Sequence, residues 1–260
     1  MDFYNEIFKR KSYHLFVGGE KPSKEELTKI NDFIKTIKPL YGDIKTEIII
    51  VPESETTCHR GADFCLLFYS EKKSDYLRNI GYIGEQIDLY LASLNLGALW
   101  FGIGKPKETR NNGLEYVIMM AFKKMPESSF RKDMFKSKRK ELSEIWSGEI
   151  INISNIVRFA PSACNTQPWY VENANGYLNV YSYKKPGKRG IMPVDKVMYY
   201  NRIDIGIFLY FLETCLEHEN MAFSRELFID QSSSEVEKTL VARYKIASQD
   251  SLLKERIYTR

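Results

Sequence analysis

The sequence predicts an α+β fold with two similar halves, and three observations support this prediction. In each half, short apolar or alternating segments surround one long segment whose apolar residues recur at helical spacing. The Asn175-Gly176 pair between two alternating segments is typical of a tight hairpin turn. A basic, polar stretch at 123–140 indicates a solvated linker. We therefore predict two halves, 1–140 and 141–260, that together form one compact unit.

The first half is predicted to contain three helices and three strands. A short helix at 2–11 opens the chain. Ser23 and Glu26 form the pattern of a capping box, so a second helix should begin there. A third helix is predicted at 84–96, with Gly97 in position to cap its end. The strands are predicted at 48–51, 64–69 and 115–122.

The second half is predicted to repeat this order of elements. Apolar residues at helical spacing predict one helix at 149–160 and a longer one at 200–217. The two long helices of the halves share few residues, but their order relative to the strands is similar, which favours an internal duplication. The strands are predicted at 169–172, 177–183, 223–229 and 240–246.

Composition and charge exclude several classes of function. The chain is 43% hydrophobic and 28% charged, as expected for an ordinary globular protein. Its net charge of +4 suits an anionic small molecule but is too small to indicate nucleic-acid binding. The longest apolar runs are too short to span a bilayer. The four cysteines lack disulfide or zinc spacing, so we expect a cytoplasmic protein with free thiols and no bound metal.

The most informative segment is 160–169, with the sequence APSACNTQPW. Its two prolines break a helix and force the chain into an extended strand. The small residues between them indicate a tight loop, and two side-chain amides can both donate and accept hydrogen bonds. A heterocycle with a mixed donor and acceptor edge would match these groups. The alternative is an ordinary turn between a helix and a strand.

This segment resembles the Ala-Pro-Ser-x-x-Asn-x-Gln-Pro-Trp motif of the FMN-dependent nitroreductase family. Nearly every defined position of the motif is matched. The resemblance implies a nitroreductase-like mixed sheet packed with helices. It also implies that Pro161, Ser162 and Asn165 lie against the flavin ring. Thr166 stands where many members of the family carry arginine.

A second segment, 9–16 with the sequence KRKSYHLF, places cations and a hydroxyl at the end of a helix. Arginine and lysine side chains can grip a phosphate, although a solvated basic end would also complement the helix dipole. The segment is similar to the amino-terminal Arg-Arg-Ser-x-Arg-x-Phe box of the same family. That resemblance implies that Arg10, Lys11 and Ser12 face the FMN phosphate and ribityl chain. His14 replaces an arginine of the box.

Two further segments look like parts of the family's flavin site. The helix exit at 96–104 is similar to the family's Leu-Gly, aromatic and glycine pattern, which implies flavin contacts for Trp100 and Gly102. The alternative is a buried helix with a glycine cap. Family members also carry a phosphate-binding lysine or arginine after the strand that follows, and Arg131 and Lys132 are the candidates here. The alternative for these two residues is a solvated linker.

The two main motifs lie in opposite halves of this chain. In most family members they lie close together in sequence, and two subunits grip the flavin with one motif each. The resemblance therefore implies that each half plays the part of one subunit, so that the chain forms an intrachain pseudo-dimer with one FMN. Such a chain could act as a monomer or associate into a homodimer.

The resemblance implies an FMN-dependent oxidoreductase. Hydride or electrons would pass from NAD(P)H, a diffusible reductant, to an electron-poor small molecule such as a nitroaromatic or a quinone. The cofactor carries the chemistry, so no catalytic side chain is predicted. The alternative is a flavin-binding protein without NAD(P)H-dependent turnover. His14 and Thr166 support this alternative, because each stands where the family usually has a cation. Nucleic-acid binding by the run at 123–140 is disfavoured, because few aromatic residues accompany its cations.

Overall fold

Among the described residues, each half of the chain contains one five-stranded sheet and one long helix. The computed structural model describes residues 2–183, 190–229 and 237–246. The chain divides into two compact units, of which the first is Phe3–Ser137 and the second comprises Asp2 and the residues from Lys138 onward. The combination of helices and sheets confirms the predicted α+β class.

The first unit has an antiparallel sheet and three helices in its described residues. Its helices are α1 (Tyr4–Lys9), α2 (Lys24–Ile34) and α3 (Tyr76–Ser93). Its strands are β1 (Thr46–Pro52), β2 (Phe64–Ser70), β3 (Leu96–Phe101), β4 (Arg110–Asn111) and β5 (Leu114–Lys124). The sheet has the order β1-β2-β5-β3, and the short β4 pairs with β5.

Helix α3 is buried along almost its whole length. Nearly every residue at 77–92 is excluded from solvent, as expected for a helix with apolar residues on all sides. Polar side chains on such a helix must find partners, because a buried polar group without a hydrogen bond is costly. Neither α3 nor any other helix in the described part of the chain combines the length and apolarity that crossing a lipid bilayer requires.

The amino terminus of α2 confirms the predicted capping box. The Ser23 hydroxyl accepts a hydrogen bond from the Glu26 backbone N–H at 3.1 Å. The Glu26 carboxylate accepts one from the Ser23 N–H at 2.8 Å. Two backbone donors that the first turn of a helix leaves unpaired are thereby satisfied.

The second unit has a mixed sheet and three helices in its described residues. Its helices are α4 (Leu142–Ile145), α5 (Ser154–Val157) and α6 (Val194–His218). Its strands are β6 (Trp146–Gly148), β7 (Trp169–Ala174), β8 (Tyr177–Tyr183), β9 (Phe223–Leu227) and β10 (Lys238–Ile246). The sheet order is β6-β7-β8-β10-β9, with β6 parallel to β7 and the other pairs antiparallel. Asn175 and Gly176 join β7 to β8 with φ of 55° and 78°, which confirms the predicted hairpin turn.

The two units share one topology. Apart from the short strands β4 and β6, each unit has two adjacent strands before the long helix and two strands after it. The first unit arranges these strands as β1-β2-β5-β3 and the second as β7-β8-β10-β9, so both have the order first, second, fourth, third. This agreement supports the predicted similarity of the halves, although few residues of the two long helices are the same.

The predicted helix at 84–96 is wrong at both ends. Helix α3 begins earlier, at Tyr76, and Asn95 rather than Gly97 takes the left-handed conformation after its end, with φ of 58°. The segment 96–101 forms β3 instead of the helix exit. Gly97 serves a different purpose, because a Cβ atom there would lie 2.6 Å from the ring of Tyr13.

The predicted helix at 149–160 is also wrong, because only one turn, α5, is helical. The chain just before it is bound to β7. The Glu149 backbone N–H donates to the Asn173 carbonyl at 3.2 Å, and the Asn173 side chain donates to the Glu149 carbonyl at 2.9 Å. These bonds hold residue 149 beside a strand, which overrides the helical spacing of the isoleucines that follow.

The predicted linker at 123–140 is only partly solvated. Its first two residues complete β5, and Met125, Phe130 and Met134 are buried. Lys140 is buried as well. The basic composition misled the prediction because the apolar residues that anchor this segment are spaced several positions apart.

We expect Gly148→Ala to destabilise the second unit more than Gly176→Ala. Both glycines have a left-handed φ, 82° and 78°, so alanine should cost about 1–2 kcal/mol at either position from backbone strain. At Gly148 a Cβ would also lie 1.9 Å from the Asn173 carbonyl oxygen, whereas at Gly176 the nearest atom is at 3.9 Å. The clash should add about 1–3 kcal/mol. Equal losses of unfolding free energy in denaturant would contradict this account.

Candidate functional site

A buried carboxylate on α3, that of Asp88, joins three segments of the first unit. The Nε atom of Arg10 donates to Asp88 Oδ2 at 2.8 Å, and the indole N–H of Trp100 donates to the same oxygen at 3.0 Å. The Arg10 and Asp88 side chains are 3% and 2% exposed. The Nη2 atom of Arg10 donates to the Ser12 hydroxyl at 3.1 Å. The segment after α1, helix α3 and strand β3 therefore meet at one ion pair.

The segment after α1 reaches this position because it runs beside β3. Ser12 forms a parallel bridge with Ala98, and the Tyr13 N–H donates to the Ala98 carbonyl at 3.0 Å. The side chain of Trp100 lies against α3 at Gly84, where a Cβ would be 2.2 Å from the indole ring. Two glycines, Gly84 and Gly97, thus permit the close approach of the segment, the strand and the helix.

A second basic segment lies beside the first. The Arg131 N–H donates to the Lys9 carbonyl at 3.1 Å, which brings residues 131–132 next to residues 9–11. Arg131 also lowers the pKa of Asp88, so its charge acts at the same place. The cations predicted at two distant positions of the sequence therefore gather in one region of the first unit.

Two lysines of this region lack an acidic partner among the described residues. Lys123 and Lys124, on β5, pair with Asp63 and Glu26, whereas Lys11 and Lys132 make no salt bridge in that part of the chain. Lys11 instead lies 4.6 Å from the centre of the Tyr13 ring, and Lys132 is exposed. Lysines without a salt bridge in the described part of the chain suit an anionic ligand.

The loop at 161–168 of the second unit is strained. Cys164, Asn165 and Gln167 have φ of 48°, 56° and 48°, although none of them is glycine. Residues other than glycine rarely adopt this backbone conformation, and they keep it only where the surrounding structure holds them in it. Clusters of such residues are typical of ligand-binding sites.

Backbone and side-chain atoms of residues 138–140 hold one side of this loop. Arg139 Nη1 donates to Asn165 Oδ1 at 2.9 Å, and the Asn165 amide donates to the Lys138 carbonyl at 3.1 Å. The Lys140 backbone N–H donates to Gln167 Oε1 at 2.9 Å, and its ammonium donates to the Gln167 carbonyl at 2.7 Å. The end of the predicted linker thus fixes the loop by hydrogen bonds to Asn165 and Gln167.

Helix α6 holds the other side of the loop through Asp204. The Ala163 N–H donates to Asp204 Oδ1 at 2.9 Å, while Oδ2 is buried without a hydrogen-bond partner among the described residues. Burial raises the pKa of Asp204 to about 8, although the bonds from Ala163 and Thr166 act in the opposite direction. Within the loop, the Gln167 N–H donates to the Ser162 hydroxyl at 3.0 Å.

Comparison with known proteins identifies the family of this chain. Residues 2–215 match the sequence profile of a family described as "Putative TM nitroreductase". The chain belongs to this nitroreductase family. A solved "putative nitroreductase" from Thermotoga maritima is 20% identical, with 95% of this chain and 93% of that chain aligned and a TM-score of 0.57, which shows that the two have the same fold. No curated protein matches the sequence.

Other solved structures align with part of this chain. A nitroreductase family protein from Clostridium difficile is 18% identical over 58% of this chain and 100% of that chain, with a TM-score of 0.45. A "putative nitroreductase in complex with FMN" from Desulfovibrio desulfuricans is 15% identical over 58% and 98%, with a TM-score of 0.42.

The predicted site residues fall into two sets, one in each unit of the chain. The loop set lies in the second unit and consists of Pro161, which is buried, Ser162, which is half-buried, and Asn165, which is exposed. Gly102 lies in the turn after β3, which the Gly104 N–H closes by donating to the Phe101 carbonyl. The first-unit set consists of Arg10, Lys11, Ser12, Trp100, Gly102, Arg131 and Lys132.

Sequence reasoning missed the residues that hold these two sets in place. Asp88 fixes Arg10 and Trp100, and Arg139 and Asp204 fix the loop. A usable signal was present for two of them: Asp88 and Asp204 each lie directly between two apolar residues of a helix rich in apolar side chains. An acid in such a position is expected to have a specific partner.

We expect Asp204 to make a contribution that lowers the unfolding free energy of the chain as pH rises from about 4 to about 8. The folded state keeps the Asp204 proton up to about pH 8, whereas an unfolded aspartate releases it near pH 4. The unfolded state therefore binds fewer protons in this window, and the group lowers stability by up to about 1.4 kcal/mol per pH unit.

The Asp204→Asn variant should show a shallower fall, measured by denaturant unfolding at several pH values. Asp195→Asn, at the exposed start of the same helix, is the matched control and should keep the wild-type slope. An unchanged slope in Asp204→Asn would contradict the assignment of a buried, protonated Asp204.

Proposed function

We propose that this nitroreductase binds one FMN and passes hydride or electrons from NAD(P)H to an electron-poor small molecule such as a nitroaromatic or a quinone. The observation that carries the proposal is the gathering of cations around Ser12 in the first unit. Family membership and the motif at 160–169 support it. The assignment rests on the motifs and on the geometry within each unit.

The first-unit set supplies what a phosphate requires. A phosphate monoester is a dianion at neutral pH, and hydrogen bonds from lysine and arginine to its oxygens are roughly twice as strong as neutral ones. Lys11 and Lys132 make no salt bridge among the described residues, so their charge is available to a ligand. Arg10 is already oriented by Asp88 through its Nε atom. We assign Arg10, Lys11, Ser12, Arg131 and Lys132 to the phosphate and ribityl chain.

The loop set supplies a rigid edge for a flat heterocycle. The left-handed residues of the loop are held by Arg139, Lys140 and Asp204 before any ligand arrives, so little ordering entropy is lost on binding. Trp100 is likewise fixed by its bond to Asp88. We assign Pro161, Ser162, Asn165, Trp100 and Gly102 to the isoalloxazine ring.

The division of labour follows from these assignments. FMN, when bound, supplies the hydride chemistry. The residues of the chain anchor the phosphate, orient the ring and present fixed dipoles at its edge, which costs no reorganisation when charge develops. No side chain of the chain needs to act as an acid or a base.

A flavin-binding protein without turnover is the second candidate, and Thr166 favours it. Thr166 occupies a position where many family members carry arginine, and here its side chain is buried. Its hydroxyl donates to the Ala163 carbonyl at 3.1 Å, so it serves the loop itself. His14, which replaces another arginine, is exposed. Anaerobic NADH or NADPH should bleach the bound flavin of an enzyme, and an unbleached spectrum with both nucleotides would favour the second candidate.

We expect Lys132→Gln to weaken FMN binding about tenfold or more and to leave riboflavin binding unchanged. The reason is that riboflavin has the same ring and ribityl chain but lacks the phosphate that Lys132 is assigned to hold. Both affinities can be measured by quenching of flavin fluorescence. Lys136→Gln removes the same charge from the same segment and should bind both flavins as the wild type does. Equal effects of Lys132→Gln on the two flavins would contradict the phosphate assignment.

We expect Asn165→Asp to weaken FMN and riboflavin by similar factors, about tenfold. The substitution preserves shape and tolerance of a left-handed φ but replaces an amide donor with a negative charge beside the assigned ring position. Asn175→Asp, at the hairpin turn with φ of 55°, is the matched control and should have no effect. If Asn165→Asp retains both flavins fully, the loop is not part of the flavin site.

A further inference from the structure

Glu85 is the most unusual polar residue of the described chain. It is fully buried in α3, and neither of its carboxylate oxygens has a hydrogen-bond partner among the described residues. An ionised carboxylate in such a place would be strongly destabilising. Burial raises the pKa of Glu85 well above its ordinary value, and the neighbouring charge of Asp88 raises it further, against the opposing effect of Arg10.

Glu85 and Asp88 lie three residues apart in α3, so their side chains are neighbours on one face of the helix. Asp88 has the partners that Glu85 lacks: the Arg10 guanidinium at 2.8 Å and the Trp100 indole at 3.0 Å. Burial raises the pKa of Asp88, while Arg10, Trp100 and Arg131 lower it. The charged groups that act on the two acids are therefore Arg10 and Arg131.

One buried guanidinium is paired directly with this group of acids. Two ionised carboxylates side by side without solvent would repel each other, so the second acid keeps its proton. When Glu85 is neutral and Asp88 is ionised, Arg10 has a counter-ion. The three side chains together then carry no excess of negative charge. If Asp88 lost its charge, Glu85, three residues away on the same face of α3, could take it over by releasing one proton to solvent.

We propose that Glu85 is the reserve counter-ion of Arg10, and that Glu85 and Asp88 hold one negative charge between them. Glu85 is thus a positioning residue, which acts on the cofactor only through Arg10. The role in cofactor binding rests on the proposed function, whereas the sharing of charge concerns the protein without ligand.

The test is a double-mutant cycle on the full chain without flavin, using Glu85→Gln and Asp88→Asn. Each substitution keeps the shape of the side chain. Glu85→Gln replaces one neutral group with another, and in Asp88→Asn the charge moves to Glu85, so each should raise the unfolding equilibrium constant only modestly. The double variant leaves Arg10 buried without a counter-ion, so its unfolding constant should exceed the product of the single effects by about 100-fold or more.

Additive effects of the two substitutions would overturn the proposal. Asp88→Asn combined with Asp204→Asn is the matched control. Asp204 is a buried acid of the second unit and bonds none of these residues, so this pair of effects should be additive.

Infrared difference spectra keep the proposal testable if the double variant does not fold. The wild type should show the carbonyl stretch of a protonated carboxyl group that is absent from Glu85→Gln. The same band should be absent from Asp88→Asn, because Glu85 is then ionised. A band that persists in Asp88→Asn would overturn the proposal, and a purely structural role for Glu85 would not move it.

Flavin retention separates the two proposals. Wild type and Glu85→Gln should retain FMN, and the double variant should bind FMN about tenfold or more weakly than Asp88→Asn does. A strong coupling in the cycle with no FMN retained by the wild type would refute the proposed function and leave the sharing of charge supported. If the wild type retains FMN but the effects in the cycle are additive, the proposed function is supported and the sharing of charge is refuted.

Discussion

The buried ion pair between Arg10 and Asp88 organises the first unit. The two residues are 78 positions apart, and the same Asp88 oxygen also receives the indole N–H of Trp100. Both side chains are almost fully buried, so each charge depends on the other to offset the cost of its removal from water. The orientation of the amino-terminal cations therefore depends on the packing of a helix and a strand far along the chain.

The second unit positions its candidate residues by a different means. Its loop has no buried ion pair; three left-handed residues are held instead by hydrogen bonds from Arg139 and Lys140 on one side and to Asp204 on the other. The two units therefore share a strand and helix topology, and in each a buried aspartate of the long helix holds a candidate segment, but the partners of that aspartate differ. Topology is maintained by apolar packing, which tolerates many sequences, whereas each cluster depends on particular side chains.

Local patterns in the sequence predicted much of the fold, and long-range contacts account for what they missed. The capping box at Ser23 and the turn at Asn175 were predictable because each depends on a few adjacent residues. Strand β3 was missed because its apolar residues continue the composition of α3, and only Asn95 marks the boundary. The candidate residues came from motifs, whereas the spatial neighbours of Asp88, Glu85 and Arg139 become apparent only when distant segments meet. The flavin contacts themselves remain predictions.

The left-handed residues of the loop restrict how this protein could be re-engineered. Suppose that Cys164, Asn165 and Gln167 were randomised in a library of variants. Most variants would then carry β-branched or bulky residues, which the φ values of 48–56° at these positions disfavour. Glycine, asparagine and aspartate are the substitutions that such backbone positions accept most readily. Useful variation should therefore be sought in the residues around the loop, whose backbone is free of this constraint.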